Sequence, residues 1–343
     1  MDQGSDCSFV ICVEKGSLEY KALLFILTLR QNWGVWSSLP IYAYSPRTGK
    51  EPSDWLQDIY EQYNVQPIYE TLNIDYPEYP YANKPIAMAH AERTLKSKFL
   101  VFLDTDILCW REPSLFDLPE QYDVAMCVEG TKTVSSSGPE DKSDQMWMRL
   151  YKLAGTKSEP YVVTNLTNQR VRGWWLSSVI PIRRESGLME RWLNLFKRTL
   201  REDFFVGPQA RFYSEQMTLC AIVAGVYERF LELPISYNYP VQNYDYYSRK
   251  GNTPESAILW HYQPFLNKFF KSFSAQIDGS SNLADKIAIA ESTIAILRAN
   301  YPSLIGLDET FVQRWRRELR LGPRLRRTLG IAKPSDKEAM EEW

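Results

Sequence analysis

The chain has 343 residues, 44% of them hydrophobic and 24% charged, and its 40 Lys and Arg against 42 Asp and Glu leave a net charge of -2. That length makes two modest domains or one large α/β domain, with enough apolar material for a full core, and excludes wholesale disorder. The balanced charge excludes a nucleic-acid binder driven by a global basic excess.

The first residues, Met1 to Ser8, are polar and acidic, unlike a signal peptide. Phe9–Val13 is a short apolar run that predicts a buried strand. Leu18–Asn32 has helical composition, and its apolar stretch Ala22–Leu27 is too short to span a bilayer. Pro40–Tyr44 predicts a second strand and Pro46–Gly49 a turn. Ser53–Tyr63 opens with a capping Ser and predicts a helix, Val65–Tyr69 a third strand, and Asn83–Leu95 another helix. Lys98–Leu103 is the clearest strand of all. Short strands alternating with helices imply βαβ units and a mostly parallel sheet. In such sheets ligands bind beyond the carboxyl ends of the strands.

Glu129–Gln145 is a long polar loop, expected to be a mobile lid or a surface excursion. Trp174–Ile182 predicts a strand, Glu185–Leu200 an amphipathic helix, Ser214–Ala224 a helix, and Ile258–His261 a last strand. Leu283–Arg298 and Glu309–Leu321 predict C-terminal helices. The five cysteines, Cys7, Cys12, Cys109, Cys127 and Cys220, are odd in number and lack CxxC spacing. No disulfide framework or zinc ribbon is expected, which suits a reducing compartment such as the cytoplasm.

Phe99–Leu103 runs into Asp104-Thr105-Asp106. In extended chain, residues two apart face one side, so both carboxylates are expected to converge on the ligand crevice. Two anions held together call for a cation between them, and Mg²⁺ or Mn²⁺ prefers such oxygen ligands. Of the two histidines, His90 falls mid-helix, whereas His261 ends an apolar stretch and is a candidate third ligand. Lys84, beside Pro85 at a helix start, is a candidate phosphate contact, as is Lys268. Glu215 opens a helix, where a carboxylate either complements the dipole or serves as a general base.

The stretch Phe99–Asp106 resembles the nucleotide-diphospho-sugar motif of glycosyltransferases with the GT-A fold. Asn83-Lys84 resembles the donor-holding helix start before that motif, and Trp174–Ile180 the segment beneath the donor sugar, which includes Ser177. Ser214–Leu219 resembles the acidic helix start near the reaction centre, and Trp260-His261-Tyr262 the late metal histidine. The likeness covers roughly Ser8–Lys268. It departs where Pro264 follows the histidine, where Phe269 follows Lys268, and where Ser177-Ser178 replaces an Asn-Gly pair. The anomeric outcome is therefore left open.

The resemblance implies an α/β, GT-A type fold: a Rossmann-like, mostly parallel central sheet flanked by helices, with C-terminal helices. It implies a catalytic domain over 1–275, with a nucleotide-binding half at 1–128 and an acceptor half at 129–275. A helical extension would cover 276–330 and a disordered tail 331–343. The implied activity is metal-dependent transfer of a sugar from a nucleotide-diphosphate donor to a hydroxyl acceptor, a glycan or a lipid-linked group. Asp104, Asp106 and His261 would hold Mn²⁺ or Mg²⁺. Val13, Glu14, Asn83, Lys84, Asp104, Ser177 and Lys268 would bind the donor, and Glu215 and Asp106 would serve catalysis.

Two other classes stay open at this point. A haloacid-dehalogenase-type phosphatase would use Asp104 as nucleophile, although about a hundred residues of βα pattern precede the pair. A non-catalytic sugar- or nucleotide-binding module is the other. Between Arg314 and Arg327 seven arginines face one acid, interleaved with Trp315, Leu319 and Leu325, which suits peripheral contact with an anionic membrane.

Overall fold

The computed structural model describes residues 6–262 and 267–307. The chain divides into two compact units, one of Met1–Tyr239 with Asp245–Trp260, the other of Pro240–Tyr244 with His261–Trp343.

The first unit is built on β1 (Cys7–Cys12), α1 (Ser17–Asn32), β2 (Ile41–Tyr44), α2 (Asp54–Gln62), β3 (Val65–Ile68), α3 (Asn83–Thr94) and β4 (Phe99–Leu103). These follow the predicted strands and helices in order. There follow β5 (Ile107–Cys109), β6 (Val124–Met126), α4 (Asp144–Ala154), β7 (Tyr161–Val163), β8 (Arg170–Arg172) and β9 (Val179–Arg183). α5 (Leu188–Arg201), α6 (Pro208–Phe212), α7 (Ser214–Ala224) and β10 (Phe230–Glu232) come next.

A seven-stranded sheet runs in the order β10-β6-β9-β4-β1-β2-β3. β1 pairs in parallel with both β2 and β4, β2 with β3, and β10 with β6. Only β9 runs against its neighbours, antiparallel to β4 and β6. The expected α/β architecture with a mostly parallel sheet is therefore present. β4 is apolar and buried throughout, and β1 is buried except at the half-buried Cys12 with Ser8 its one hydroxyl residue, as strands covered on both faces must be. The chain leaves β1 toward β2 on one side and returns through α3 to β4 on the other. This reversal makes a crevice at the carboxyl ends of β1 and β4.

Helix packing fixes what lines that crevice. Gly16, at φ +112°, turns the chain from β1 into α1 in a backbone region that glycine tolerates. The Glu19 carboxylate accepts the N–H groups of Gly16 at 2.7 Å and Ser53 at 2.6 Å, tying this turn to the start of α2. α5 is amphipathic and buries Leu188, Met189, Trp192, Leu193, Leu195, Phe196 and Thr199. It packs between α3 and α7. All 11 residues of α7 are buried, so this helix is a core element with no solvent face.

Two expectations are corrected. Trp174–Ser178 is not strand: the chain bridges once, Val128 to Trp175, turns at Ser177-Ser178, and only then enters β9. Two adjacent buried tryptophans hold it by packing, in place of a ladder. The loop after Glu129 is not wholly a surface excursion, because its middle is anchored in the core. Val134, Ser135 and Ser136 are buried, the Trp147 indole donates to the Val134 carbonyl at 2.9 Å, and Ser136 donates to Asp144 at 2.5 Å. Asp144 in turn accepts Nε and Nη2 of the buried Arg172 at 2.6 and 3.1 Å.

In the second unit the helices Asn267–Gly279 and Leu283–Leu307 bury Phe273 and Ile277, and Ala290, Ile294 and Leu297, respectively. The Lys286 ammonium caps the first helix at the Ile277 carbonyl. The predicted helix Glu309–Leu321, the basic stretch Arg314–Arg327 and the tail 331–343 lie outside the described residues. Among the described residues no helix is long and apolar enough to cross a membrane. The five cysteines are unpaired.

Candidate active site

The carboxyl end of β4 delivers Asp104 to the crevice. The backbone then turns at Thr105-Asp106 before β5 begins. An extended strand does not continue through the motif, so strict alternation along a strand does not describe how the two acids are set. Asp104 meets Lys84, with Nζ 3.1 Å from Oδ1 and 3.2 Å from Oδ2. Asp106 meets Lys21 of α1 at 3.8 Å. Each acid thus engages an ammonium from a different helix.

Lys84 is the hub. From the first turn of α3 its ammonium lies over the Phe102 ring, with Nζ 5.0 Å from the centroid. Nζ also lies 3.1 Å from the Ser177 carbonyl, 3.3 Å from Ser177 Oγ and 3.4 Å from Glu215 Oε1. Ser177 Oγ donates to Glu215 Oε1 at 2.8 Å. The Ser177-Ser178 turn is held by β4 itself, since the Asp104 N–H donates to the Ser178 carbonyl at 2.9 Å.

Glu215 reaches this cluster from the first turn of α7, whose entry is fixed by Tyr79. That hydroxyl donates to the Arg211 carbonyl at 2.6 Å and pairs with Ser214 Oγ at 2.8 Å. The Trp192 indole donates to the Glu215 carbonyl at 2.9 Å. Burial raises the Glu215 carboxyl above its usual range, against the pull of Lys84. Its second oxygen, Oε2, is buried without a hydrogen-bond partner. Burial disfavours the Lys84 ammonium, but Asp104 and Glu215 outweigh it and hold the lysine above its ordinary value. Formally, two carboxylates face one ammonium.

A second cluster lies at the ends of β1 and β2. Glu14 is buried, and Arg47 closes on it as a two-pronged pair, with Nε 2.7 Å from Oε1. The Asn83 amide donates to the same oxygen at 2.8 Å, and Asn73 donates to Asn83 at 2.9 Å. Arg47 Nη1 also donates to the Pro77 carbonyl at 2.9 Å. Glu14 thus ties the end of β1 to the turn after β2 and to the first turn of α3. Val13 is buried beside it, its carbonyl taken by the Ser45 hydroxyl at 2.5 Å.

Glu14, Asn83, Lys84, Asp104, Ser177 and Glu215 are therefore brought into two adjoining networks. His261 is buried at the end of the strand Leu259–His261 and is assigned to the second unit. Lys268 falls on the helix Asn267–Gly279, its side chain outside the described residues. Sequence reasoning missed Arg47, Asn73 and Lys21. Arg47 lies three residues past the carboxyl end of β2, and that position was its signal.

A divalent ion is implied by the resemblance. The oxygen chemistry of Asp104 suits one, and a carboxylate that already grips an ammonium is placed to grip a cation. Among the described residues, however, no three His, Cys, Asp or Glu side chains converge closely enough to hold an ion by themselves. The residues present fit a site that one or two carboxylates share with substrate phosphates.

The profile of the Rhodobacterales glycosyltransferase domain matches residues 9–226, most of the first unit and well over half of the chain. The molecule is thus a sugar-transferring enzyme, a glycosyltransferase. It belongs to the Rhodobacterales glycosyltransferase domain family, and the phosphatase and non-catalytic readings fall away. A search of curated proteins finds no match. Among solved structures, the apo form of mouse xyloside xylosyltransferase 1 is similar at 10% identity and a TM-score of 0.42, over 75% of this chain and 98% of that one. The apo WbbM bifunctional glycosyltransferase is similar at 10% identity and a TM-score of 0.45, over 85% of this chain and 52% of that one. The chain thus matches about half the length of the second protein.

Proposed function

We propose that this glycosyltransferase takes a nucleotide-diphosphate sugar as donor and a hydroxyl compound as acceptor, with Mn²⁺ or Mg²⁺ bound at Asp104 and Asp106. The observation that carries the reading is the Lys84–Asp104–Glu215–Ser177 cluster at the crevice of a mostly parallel sheet. It joins an anion-binding ammonium to a cation-binding carboxylate, the two charges a metal-bound diphosphate requires.

Transfer makes a bond from the acceptor oxygen to the anomeric carbon and breaks the bond from that carbon to the diphosphate oxygen. The acceptor hydroxyl loses its proton, and the diphosphate leaves with the bonding electron pair. A bound divalent ion supplies charge neutralisation on that leaving group. Lys84 adds a second positive charge, an electrostatic contribution made where charge develops. The free Oε2 of Glu215 is the acceptor atom available for the hydroxyl proton or for a sugar hydroxyl. Glu14, fixed by Arg47 and Asn83, shapes the end of β1 against the base or ribose.

The basic stretch Arg314–Arg327 would bring the enzyme to an anionic membrane if the acceptor is lipid-linked. The test of the donor assignment is release of nucleoside diphosphate from a panel of nucleotide sugars, with Mn²⁺ or with EDTA. Metal-dependent release from one member supports the reading. No release from any member, with or without a broad set of sugar acceptors, refutes it.

A further inference from the structure

Lys84 stands where a cation would be expected. Its ammonium touches both oxygens of Asp104, at 3.1 and 3.2 Å, and bridges that carboxylate to Glu215 at 3.4 Å. The contacts to the Ser177 carbonyl and hydroxyl complete its shell. The lysine side chain is 15% exposed, and that of Asp104 29% exposed. The ammonium is therefore seated behind the carboxylate, and the carboxylate is the part of the pair that solvent and ligands reach.

We propose that Lys84 is the resident counter-cation of this site and makes metal binding conditional on donor binding. The inference rests on the reading of Asp104 as a metal ligand given above. In the donor-free protein the ammonium and a divalent ion compete for one carboxylate. With Lys84 in place, an arriving ion meets a cluster of one net negative charge; without it, the ion meets two. No three protein ligands among the described residues converge to offset that weakness. A donor diphosphate changes both terms. Its charge offers Lys84 another anion, which loosens the hold on Asp104, and its oxygens complete the ion's coordination. Binding coupled in this way is reciprocal: whatever the nucleotide adds to metal affinity, the metal adds to nucleotide affinity.

The device has a consequence beyond affinity. Lys84 released from Asp104 remains on the first turn of α3, which Asn83 anchors to Glu14 and Asn73. It moves from holding the empty site together to holding the leaving group, without leaving the crevice. Glu215 loses its neutralising partner in the same event, which strengthens its carboxylate as a proton acceptor when substrate is present.

The test is Mn²⁺ binding to the full chain, followed by the paramagnetic resonance signal of the free ion, with Mn²⁺ alone and with UDP, GDP, ADP or CDP. For the wild type, binding is expected to be weak with Mn²⁺ alone and at least tenfold tighter with one nucleotide. Lys84→Met is expected to bind Mn²⁺ alone at least tenfold more tightly than the wild type, and to lose most of the gain from nucleotide. Lys84→Arg keeps the charge and is expected to behave as the wild type. If Lys84→Met fails to fold, Lys84→Gln retains a hydrogen-bond donor without charge and is expected to show the same tightening. Unchanged or weaker Mn²⁺ binding in the uncharged variants, with nucleotide-dependent binding intact in the wild type, overturns the counter-cation role and leaves the metal reading standing. Equal tightening in Lys84→Arg also overturns it. Absence of Mn²⁺ binding in every protein, with every nucleotide, overturns the metal reading and the inference with it.

Discussion

The ammonium of Lys84, in the first turn of α3, lies 3.4 Å from the carboxylate of Glu215, in the first turn of α7. Two helix starts, 131 residues apart in sequence, thus share one ion pair above the end of β4. A carboxylate inside a wholly buried helix is costly unless a charge partner reaches it, and here the partner also grips Asp104. Core packing and site electrostatics are therefore one construction.

Asp104→Asn should remove the metal-gripping charge while keeping shape. Activity should fall by about 100-fold or more, the scale seen when a single transition-state electrostatic contact is lost. The circular dichroism spectrum should be unchanged. Full retained activity would remove Asp104 from its assigned role.

Glu215→Gln separates catalysis from packing. Loss of a positioned proton acceptor costs roughly 10²–10⁴-fold in turnover. Stability should respond to pH in the opposite sense to most carboxylate losses. Burial raises the folded-state pKa of Glu215, so the folded wild type holds this proton more tightly than the unfolded chain. The wild type is thus favoured at pH below the unfolded value of about 4.3 and loses stability as pH rises through the higher folded value. The variant lacks that titration. Denaturation midpoints should therefore shift in favour of Glu215→Gln as pH rises, and a shift in favour of the wild type would contradict the burial argument.

Glu14→Ala strands the Arg47 guanidinium and the Asn83 amide. Breaking one side of a buried pair costs about 3–5 kcal/mol, and this pair, with Glu14 7% and Arg47 15% exposed, should sit at the lower end. Urea denaturation measures the loss. Nucleotide affinity should fall as well, because Glu14 orients the helix start that carries Lys84. Unchanged stability would show that Arg47 finds another partner.

The polar loop after Glu129 is anchored in the core through Val134, Ser135, Ser136 and Asp144. Asp144→Ala leaves Arg172, whose side chain is 3% exposed, without its two-pronged acceptor. Arg172 keeps its pair with Glu159 at 2.8 Å, so the expected loss is about 1–3 kcal/mol rather than that of a charge left wholly unpaired. In the native wild type this loop should resist limited proteolysis as well as the sheet does, and Asp144→Ala should expose it. Cleavage of the wild type within 129–143 at native conditions would restore the lid reading.

The strands β1, β2 and β4 were legible because each is a mainly apolar run bounded by turn residues, and α7 because its composition is helical although no polar face marks it. The three-residue strands β5, β6, β7, β8 and β10 carry no periodicity to read. The Trp174–Ser178 segment misled because two tryptophans imitate strand composition while packing as a bridge and a turn. Asp104, Lys84 and Glu215 were each visible as single candidates. Their convergence was not, since it depends on how α3 and α7 dock on the sheet. Arg47 and Lys21 were not singled out in the sequence for the same reason. The Asp-Thr-Asp motif was visible, but its geometry was not: the turn at Thr105-Asp106 sends the two acids to different partners.

The most direct measurement is a thermal-shift screen of UDP, GDP, ADP and CDP against the wild type and Asp104→Asn, each with and without Mn²⁺. Stabilisation of the wild type by one nucleotide when Mn²⁺ is present, lost in Asp104→Asn, is the predicted result. Equal stabilisation with and without the ion, or in both proteins, would contradict the assignment of Asp104 to a metal-bound diphosphate.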